Sequence, residues 1–550
     1  MAARDTAATH RVDNQPPARI GFNAWHADPL ARAAASTFGA PWIEGRAAAL
    51  GEFIGSERLQ MLAAQANRNA PELRTHDRFG HRIDAVEFHP AYHELMGEAF
   101  GAGLHALAWT APQSGFAARA ALNYLWNQGE FGTACPVTMT FAGVALMRRE
   151  AELAREWEPK LVAFDYDPRP LPAAEKRAVT VGMALTEKQG GSDLRAITTQ
   201  AQDAGDGWHA LTGHKWFCSA PMADGFFTLA RVADAITCFF VPRTLPDGAR
   251  NVFRIQRLKD KVGNRSNASA EIEYAGTLAR RVGEAGRGIA TLIEMAHYTR
   301  YDIVIACAGM MRAALAEALH HVRHRVAFGR ALAEQPLMAN VIADLALEWE
   351  AALLTAFRLA HGFDRARDDE RERALARLLT PVAKFWLCKR LPAVAVEAME
   401  CAGGNGYVEE NPLARLYREA PVHGVWEGSG NVVALDTLRA LAGKSAKEPE
   451  VLDAFFAEIG PAAASEPRLA RHVERLRSEI SRSGESLEGA GRRIAEGCAL
   501  ALQAALMVRH AAPAAADAFC AARLEGEAGK TFGTLARADT RAILARVTAA

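Results

Sequence analysis

The sequence has no excess of either charge, because its 64 lysines and arginines are balanced by 64 aspartates and glutamates. Capture of nucleic acid or acidic lipid by the whole chain usually needs a basic excess, so only a local basic patch stays open. Cysteine is scarce, and none of the eight cysteines forms a Cys-x-x-Cys pair. This scatter argues against a disulfide framework or a metal site and fits a reducing compartment.

Two kinds of membrane signal are also missing. The N-terminal segment MAARDTAATHRVDNQPPARI has no apolar stretch of the kind that a secretory signal requires. No later run reaches the roughly 18 consecutive apolar residues of a membrane-spanning helix. The composition is that of a globular protein, with 50% hydrophobic and 23% charged residues. We therefore expect a cytoplasmic protein without a membrane partner, with three or four domains of roughly 150 residues each.

Changes in the spacing of apolar residues and in turn composition divide the chain into four parts. Residues 1–178 contain a polar arm and a block of helical apolar spacing that ends in the connector DPRPLP. Residues 179–284 contain short β-rich segments separated by turns such as GDG and PDG, which predicts a small antiparallel barrel or sandwich. Residues 285–443 and 444–550 are helical again. The predicted fold is mainly α with a central β domain.

A glycine turn follows the first β segment, where Met183, Leu185 and Thr186 lead to Gly191 and Ser192. Glycine tolerates positive φ and close approach, so such a turn presents backbone N–H groups and hydroxyls to a bound group. An ordinary tight turn with local side-chain hydrogen bonds explains the same residues. Both interpretations stay open for this segment alone.

A second segment, GHKWFCS, ends a β segment with the aromatic Phe217, then Cys218 and the hydroxyl of Ser219. An aromatic wall beside a hydroxyl suits a planar ring system. Packing inside the β domain explains the pattern equally well.

Taken together, these two segments resemble the flavin-binding β domain of the acyl-CoA dehydrogenase family. The stretch RVAFG, with Arg325 and Phe328, and Gln335 beyond it resemble the family element whose arginine meets the FAD pyrophosphate of a neighbouring subunit. Gly403 and Gly404 lie in AGGNGY, which resembles the segment that receives the partner's dinucleotide. Without the resemblance, Arg325 would be explained as a charged residue at a helix C-terminus. Gly403 and Gly404 would be explained as a glycine cap of a helix.

The resemblance implies a fold and an assembly. The fold is an N-terminal helical domain, an antiparallel β-barrel and a four-helix bundle, and the cofactor is FAD. A homotetramer is implied because a neighbouring subunit completes each FAD site in the family.

The segment WEGSGN resembles the part of the family that carries the catalytic base, and Glu427 is at the matching position. There the carboxylate removes the α-proton of an acyl thioester while hydride passes from the β-carbon to the flavin. Such a base must be screened from water, which raises its pKa. Some members carry the base on the long preceding helix, where this chain has Thr299 beside Arg300. A glutamate stabilised near a helix N-terminus is the alternative explanation for Glu427.

The segments FHPAYH, CPVTMT, TEKQGGSD and LKDKVGNRSNAS resemble the AidB-like branch of the family, which belongs to the adaptive response to DNA alkylation. The likeness covers almost the whole chain and includes an extra C-terminal helical domain. Trp426 stands where ordinary members mostly have Tyr, and Phe217 where many have Trp. The larger indole should narrow the acyl cavity. The branch implies binding of double-stranded DNA and at most weak acyl-CoA dehydrogenase activity.

The charges of the extra domain give DNA binding little support. Residues 445–550 carry 14 Lys and Arg and 14 Asp and Glu. The candidate phosphate-contacting stripe is one helical face with Arg468, Arg471, Arg475 and Arg482. A salt-bridged, solvated helix is the alternative, because Glu479 lies close to the same face.

Three functions stay open. The first is an FAD-containing AidB-like protein that binds double-stranded DNA and retains a weak or specialised dehydrogenase site. The second is an oxidoreductase acting on the CH–CH group of short or branched acyl-CoA, such as isovaleryl-CoA, and passing electrons to an electron-transfer flavoprotein. The third is an oligomer in which the flavin is structural.

The resemblance assigns Glu427 as catalytic, and Trp426 and Arg300 as substrate-pocket residues. The cofactor contacts that it implies are Met183, Leu185, Thr186, Gly191, Ser192, Phe217, Cys218, Ser219, Arg325, Phe328, Gln335, Gly403, Gly404, Trp426, Gly428, Ser429 and Asn431.

Overall fold

The computed structural model describes residues 11–442, 451–482 and 487–547. An extended arm leads into a block of helices, three of which begin at side-chain caps. Asp28 accepts a hydrogen bond from Ala31 N, and Ser56 accepts one from Leu59 N. The helices of this block are α1 (Pro29–Thr37), α2 (Glu44–Ile54), α3 (Glu57–Arg68), α4 (Pro90–Ala102), α5 (Leu107–Thr110), α6 (Gly115–Trp126), α7 (Ala134–Met147) and α8 (Ala151–Leu161).

This block also contains a hairpin that the helical spacing does not predict. Strands β1 (Glu72–His76) and β2 (Arg82–Glu87) pair antiparallel. The turn between them is held by Asp77, whose Oδ1 accepts hydrogen bonds from Phe79 N and His81 N. The prediction of a helical domain therefore leaves out this hairpin, which is the β structure within an otherwise helical block.

The β domain is a closed sheet. Its strands are β3 (Val181–Ala184), β4 (Gln200–Gly205), β5 (Trp208–Ser219), β6 (Gly225–Val232), β7 (Ala235–Pro242), β8 (Phe253–Leu258) and β9 (Ser269–Val282). The order is β3-β6-β4-β5-β9-β7, and β7 pairs back to β6, which closes a barrel. Most pairings are antiparallel as predicted, but β6 pairs in parallel with β3 and, through one residue pair, with β4.

Three long helices form the next domain and pack against one another. They are α9 (Gly288–His324), α10 (Pro336–Arg365) and α11 (Glu370–Cys401). A small hairpin of β10 (Val326–Ala327) and β11 (Arg330–Ala331) separates α9 from α10, and α11 is followed by α12 (Gly404–Tyr407), α13 (Pro412–Glu419) and α14 (Gly430–Leu441).

Helix α9 is long and apolar enough to cross a membrane by length and composition, with an 18-residue window of mean hydropathy 1.5. Charged residues such as Asp302 and Arg312 interrupt its apolar sequence. Of that window, 89% is buried inside the protein, where α6, α7, α10 and α11 cover the helix. Its apolar surface therefore belongs to the protein core.

The C-terminal helices are α15 (Val451–Ser465), α16 (Pro467–Arg482), α17 (Leu487–His510), α18 (Pro513–Leu524) and α19 (Thr540–Leu544). Helix α17 packs on α10, α11 and α14. Two arginines fasten this domain to buried carboxylates of α10. Arg523 pairs with Asp344 at 2.5 Å, and Arg546 pairs with Glu350 at 2.8 Å. Removing one partner of a buried pair typically costs about 3–5 kcal/mol, so the domain is firmly attached.

Candidate active site

The glycine turn after β3 rests on a buried carboxylate. Glu187 accepts hydrogen bonds from Lys215 Nζ at 2.8 Å and from Thr199 Oγ1 at 2.6 Å. Burial alone would raise the pKa of Glu187, but the Lys215 charge and these hydrogen bonds outweigh it and hold the pKa well below its usual range. A Cβ at Gly191 would lie 2.3 Å from Thr186 Oγ1, so the turn requires glycine there.

The predicted contacts of this turn lie on an accessible face. Met183, Leu185 and Thr186 are half-buried and Ser192 is exposed, whereas Ala184 between them is buried. Successive side chains of a strand point to opposite faces of the sheet. Met183 and Leu185 therefore point away from the barrel core, and Ala184 points into it.

A bulge at the end of β5 presents aromatic side chains next to this turn. Lys215 pairs with Ile272, and pairing resumes at Cys218 opposite Ala270, so two residues oppose one. Phe217, inside the bulge, is 50% exposed. The Cys218 side chain is fully buried in the barrel core, where burial raises its pKa. No part of Cys218, side chain or main chain, is exposed in the structure, and its predicted cofactor contact stays a prediction.

Three elements meet at the Cys135 thiol. Cys135 lies in the first turn of α7, Ser219 ends β5, and Glu427 precedes α14. Burial raises the pKa of Cys135 to about 12, a hydrogen bond with Ser219 lowers it, and the charge of Glu427 raises it. The Ser219 hydroxyl and the Glu427 carboxyl therefore lie near the Cys135 thiol, where α7, β5 and the turn before α14 come together.

The main chain around Glu427 is strained and clamped. Glu427 has φ +56°, which costs a non-glycine residue roughly 1–2 kcal/mol, and Gly428 follows with φ +99°. Arg300 Nε donates to Glu427 O at 2.8 Å. Lys384 Nζ donates to Trp426 O at 2.9 Å and to Gly428 O at 2.6 Å. Hydrogen bonds from charged donors stabilise by roughly 1.5–3 kcal/mol each. Together, these three hydrogen bonds therefore outweigh the cost of the positive φ of Glu427.

The Glu427 carboxyl lies in surroundings that favour its protonated form. Glu427 is half-buried as a residue, but surrounding protein desolvates its carboxyl and raises its pKa. A hydrogen bond with Thr299 and the charges of Arg300 and Lys384 act in the opposite direction without cancelling this effect. The result is a carboxylate of raised basicity, as a general base requires.

Trp426, the residue before Glu427, is half-buried. Its indole Nε1 is buried and has no hydrogen-bond partner among the described residues. The ring of His423 packs edge-on against the indole at 5.4 Å, and burial lowers the pKa of His423 to about 3, so this neighbour is uncharged at neutral pH. The unpaired indole N–H and the neutral imidazole form a largely apolar wall beside Glu427.

The last predicted contacts in this region lie at the start of α14. Ser429 and Asn431 are exposed. The Asn431 Oδ1 accepts a hydrogen bond from Arg492 Nε at 2.8 Å, so this side chain joins α14 to α17 of the C-terminal domain.

A second surface carries the remaining predicted cofactor contacts. Arg325 directly follows α9, and Phe328 at the tip of the β10–β11 hairpin has φ +52° and is 97% exposed. Gln335 Nε2 donates to Ala327 O at 3.2 Å, which braces the hairpin. Arg325 Nη1 donates to Asn14 O at 2.5 Å, so the N-terminal arm covers one side of this surface.

The arm also reaches the glycine segment. Asn405 Nδ2 donates to Gln15 Oε1 at 3.0 Å, directly after Gly403 and Gly404. Both glycines have nothing within 4 Å of an added Cβ, and Gly403 has φ +59°. The Arg325 hairpin and the glycine segment are thus joined through Asn14 and Gln15 and remain open to a partner.

Family models match three consecutive stretches of the chain. Residues 14–168 match the adaptive response protein AidB N-terminal domain, residues 182–277 the acyl-CoA dehydrogenase middle domain, and residues 286–442 the acyl-CoA dehydrogenase C-terminal domain. The AidB protein of Escherichia coli is 41% identical over 524 residues, which are 95% of this chain and 95% of AidB. The chain belongs to the acyl-CoA dehydrogenase family, in its AidB branch.

Solved structures agree with this assignment. Caenorhabditis elegans ACDH-11 in complex with C11-CoA superimposes with a TM-score of 0.85 and 25% identity, covering 95% of this chain and 94% of that chain. An acyl-CoA dehydrogenase complexed with FAD from Bacillus anthracis superimposes with a TM-score of 0.69 at 17% identity, covering 92% and 90%. The predicted AidB-like fold, including the extra C-terminal helical domain, is confirmed.

The arginine stripe of the AidB-like C-terminal domain is largely engaged within the protein. Arg468 pairs with Glu466 at 2.7 Å and with Asp517 at 2.8 Å. Arg471 pairs with Glu525, and Arg475 Nη2 donates to Leu524 O at 3.2 Å. The Arg482 side chain lies outside the described residues. The contacts therefore favour the salt-bridged helix over a phosphate-contacting stripe.

Sequence reasoning missed Lys384, Cys135 and Asn14 as site residues of this family member. Lys384 has one signal, because it is a single lysine within the apolar helical stretch LLTPVAKFWL. Cys135 lies in a stretch used to recognise the branch, without a role assigned to it. Asn14 lies in a polar arm, and its contact with residue 326 spans 312 positions of sequence.

Proposed function

We propose that this chain is an FAD-dependent acyl-CoA dehydrogenase-type oxidoreductase in which Glu427 is the base. The observation that carries the proposal is a carboxyl of raised pKa on a clamped turn that faces Cys135 and the end of β5. Family membership assigns FAD as the cofactor. The residues present fit that group.

The fit rests on the chemistry of the donors. Thr186, Ser192 and Ser219 offer neutral hydroxyls, and Phe217 offers a half-exposed ring, which suits the polar rim and flat face of an isoalloxazine. The unpaired Nε1 of Trp426 is one further donor. When bound, FAD accepts the hydride that leaves the β-carbon of the acyl chain.

The chain's own residues account for the proton. The α-carbon C–H bond breaks, its electron pair stays on the acyl group, and the proton passes to a Glu427 oxygen. Burial makes that oxygen more basic, whereas the charges of Arg300 and Lys384 favour the ionised form that accepts the proton. The rings of Trp426 and His423 pack against each other on the residues that precede this carboxylate.

We also propose that a neighbouring subunit completes each site. Arg300 lies near Glu427, but Arg325 lies 25 residues further along α9, which at 1.5 Å per residue is about 37 Å away. The exposed Phe328 and the open Gly403–Gly404 surface are consistent with a second copy that supplies these contacts. The proposed assembly is the homotetramer of the family.

The substrate class that we propose is an acyl-CoA thioester, with an electron-transfer flavoprotein as the electron acceptor. The ACDH-11 neighbour was solved with C11-CoA, and isovaleryl-CoA dehydrogenase of rice is 25% identical over 259 residues. Trp426 narrows the space beside the base, which favours a short branched chain.

The proposal is tested by anaerobic titration of the purified flavoprotein with isovaleryl-, butyryl- and undecanoyl-CoA. We expect at least one thioester to bleach the visible flavin band, and Glu427→Gln to abolish bleaching while FAD content is unchanged. Glu410→Gln, which changes an exposed glutamate, is the matched control. If Glu427→Gln bleaches as fast as the unmodified chain, Glu427 is not the base. If FAD is not taken up at all, the proposal fails.

The second candidate function is binding of double-stranded DNA in the alkylation response, which we propose from the likeness to AidB. That likeness covers 95% of the chain. The test is a DNA shift assay at several salt concentrations with the full chain, in which affinity should fall steeply with salt. Binding that is absent at low salt would contradict this function and leave the oxidoreductase proposal intact.

A further inference from the structure

Lys384 is a charged residue in the core of the helical bundle. It lies in the middle of α11 and is 1% exposed. Burying an ammonium is costly unless hydrogen bonds replace its water, and burial here lowers the pKa of Lys384. Both hydrogen bonds of its Nζ go to main-chain carbonyls, those of Trp426 and Gly428.

These two carbonyls flank the candidate base. The carbonyl between them, that of Glu427, accepts from Arg300 Nε. Two cations from α9 and α11 therefore hold three consecutive carbonyls of one turn. Because φ of Glu427 is +56°, the direction of its Cβ depends on this turn being kept.

We propose that Lys384 is a positioning residue, which fixes the turn around Glu427 so that its carboxylate is aimed at the α-carbon of the bound thioester. The inference deepens the proposed function and rests on it. Lys384 does not touch the reacting atoms; it acts through the main chain on either side of the base.

The effect of the Lys384 charge on the pKa of Glu427 depends on the other ionisable groups nearby. Arg300 is held by Asp436 at 2.6 Å, and Asp436 also binds Arg377 at 2.7 Å, so the charge on the α9 side is partly balanced. From α7 the neighbouring group is the Cys135 thiol. His423 lies near Lys384 and is neutral at pH 7, since its pKa is about 3. Removing Lys384 thus removes one of two cations that lower the pKa of Glu427.

The test compares Lys384→Met, Lys384→Arg and Lys384→Gln with Lys389→Met in the full-length flavoprotein. Lys389 is an exposed lysine on the same helix and serves as the control. Lys384→Gln keeps one amide donor and is used if the Met variant does not fold. Arginine keeps the charge and two N–H groups that can reach both carbonyls.

We expect Lys384→Met to lower kcat about a hundredfold with little change in KM, as a small misplacement of a catalytic group does. The acidic limb of the pH profile of kcat/KM should move to higher pH, because a cation beside Glu427 is lost. Lys384→Arg should restore most of the rate. Hydrogen–deuterium exchange of the amides in residues 425–430 should be faster in the Met variant and normal in the control.

Two results would overturn the positioning role. One is an unchanged pH limb with unchanged amide exchange in Lys384→Met. The other is a general loss of FAD and thermal stability that Lys384→Arg does not rescue. If the unmodified chain reduces no thioester, the proposed function fails separately, and the amide exchange of the turn still decides whether Lys384 fixes it.

Discussion

Asn14 and Val326 exchange two hydrogen bonds, from Asn14 Nδ2 to Val326 O and from Val326 N to Asn14 Oδ1, both 2.8 Å long. One side chain thus pairs with the hairpin edge as a neighbouring strand would. The next residue, Gln15, binds Asn405. The arm therefore ties together two surfaces that lie far apart in sequence and that we assign to a neighbour's cofactor.

The variant that lacks residues 1–16 should release FAD faster than the variant that lacks residues 1–10. The longer deletion removes Asn14 and Gln15, so Arg325 and the glycine segment lose their common brace. The measurement is the rate of flavin release after dilution, followed by fluorescence, with the assembly state checked by light scattering. Equal release rates for both deletions would show that the arm has no part in cofactor retention.

Glu187→Gln should lower the free energy of unfolding by about 3–5 kcal/mol at neutral pH, since it leaves the buried Lys215 charge unpaired. The pKa of Glu187 is held low in the folded protein, so its stabilising effect is present above the unfolded pKa and is lost as the pH falls. Chemical denaturation at pH 7 and at lower pH measures both effects. A variant as stable as the unmodified chain at pH 7 would contradict the support that we assign to this pair.

Glu419 should give the free energy of unfolding a pH dependence opposite to that given by Glu187. Its carboxylate is buried, accepts hydrogen bonds from Asn264 N at 2.6 Å and Asn264 Nδ2 at 2.7 Å, and has a pKa raised by burial to about 7. Between the ordinary value of 4.5 and about 7, the folded protein holds a proton that the unfolded chain has released. The free energy of unfolding should therefore fall as the pH rises through this window, by up to about 3 kcal/mol.

Glu419→Gln should flatten that dependence. The amide carries no titrating proton, although it must accommodate one of the two Asn264 donors. Denaturation curves of both proteins between pH 5 and pH 8 provide the comparison, and parallel slopes would mean that another group titrates in this range.

Trp426→Tyr should widen the acyl space and raise kcat/KM for undecanoyl-CoA relative to isovaleryl-CoA, by about tenfold if one or two methylene positions are gained. The smaller ring removes the buried indole whose Nε1 has no partner among the described residues. Steady-state kinetics with both thioesters give the ratio. An unchanged ratio would place the limit on chain length elsewhere.

Arg468→Ala and Arg471→Ala should each cost about 1 kcal/mol of stability and leave DNA affinity unchanged. Both arginines are already paired with carboxylates, namely Glu466, Asp517 and Glu525. The assays are thermal unfolding and a DNA shift titration at fixed salt. A clear drop in DNA affinity with little loss of stability would restore the phosphate-contacting stripe.

Much of the fold follows from local pattern. Apolar spacing and turn residues separate the helical blocks from the barrel, and the ordered motifs locate Glu427. The β1–β2 hairpin does not follow, because its strands are half-exposed and lack a clear alternation of apolar residues. The exposed Phe217 and buried Cys218 depend on a bulge, which is set by the partner strand β9.

The residues that hold the Glu427 turn in place are harder to predict from the sequence than the candidate base itself. Lys384 is 42 residues from Trp426 in sequence, and Arg300 is 127 residues from Glu427. No local pattern links such positions; only the packing of α9 and α11 brings them to one turn. The pairing of Arg468 with Asp517 likewise depends on how α16 and α18 meet.

The attachment of the C-terminal helices makes them part of one structure with the helical bundle. Asp344 and Glu350 face Arg523 and Arg546 from inside α10. A chain cut after residue 442 would leave both carboxylates without these arginines and would expose the surfaces of α10, α11 and α14 that α17 covers. The bundle in this chain therefore depends on the C-terminal helices for its own integrity.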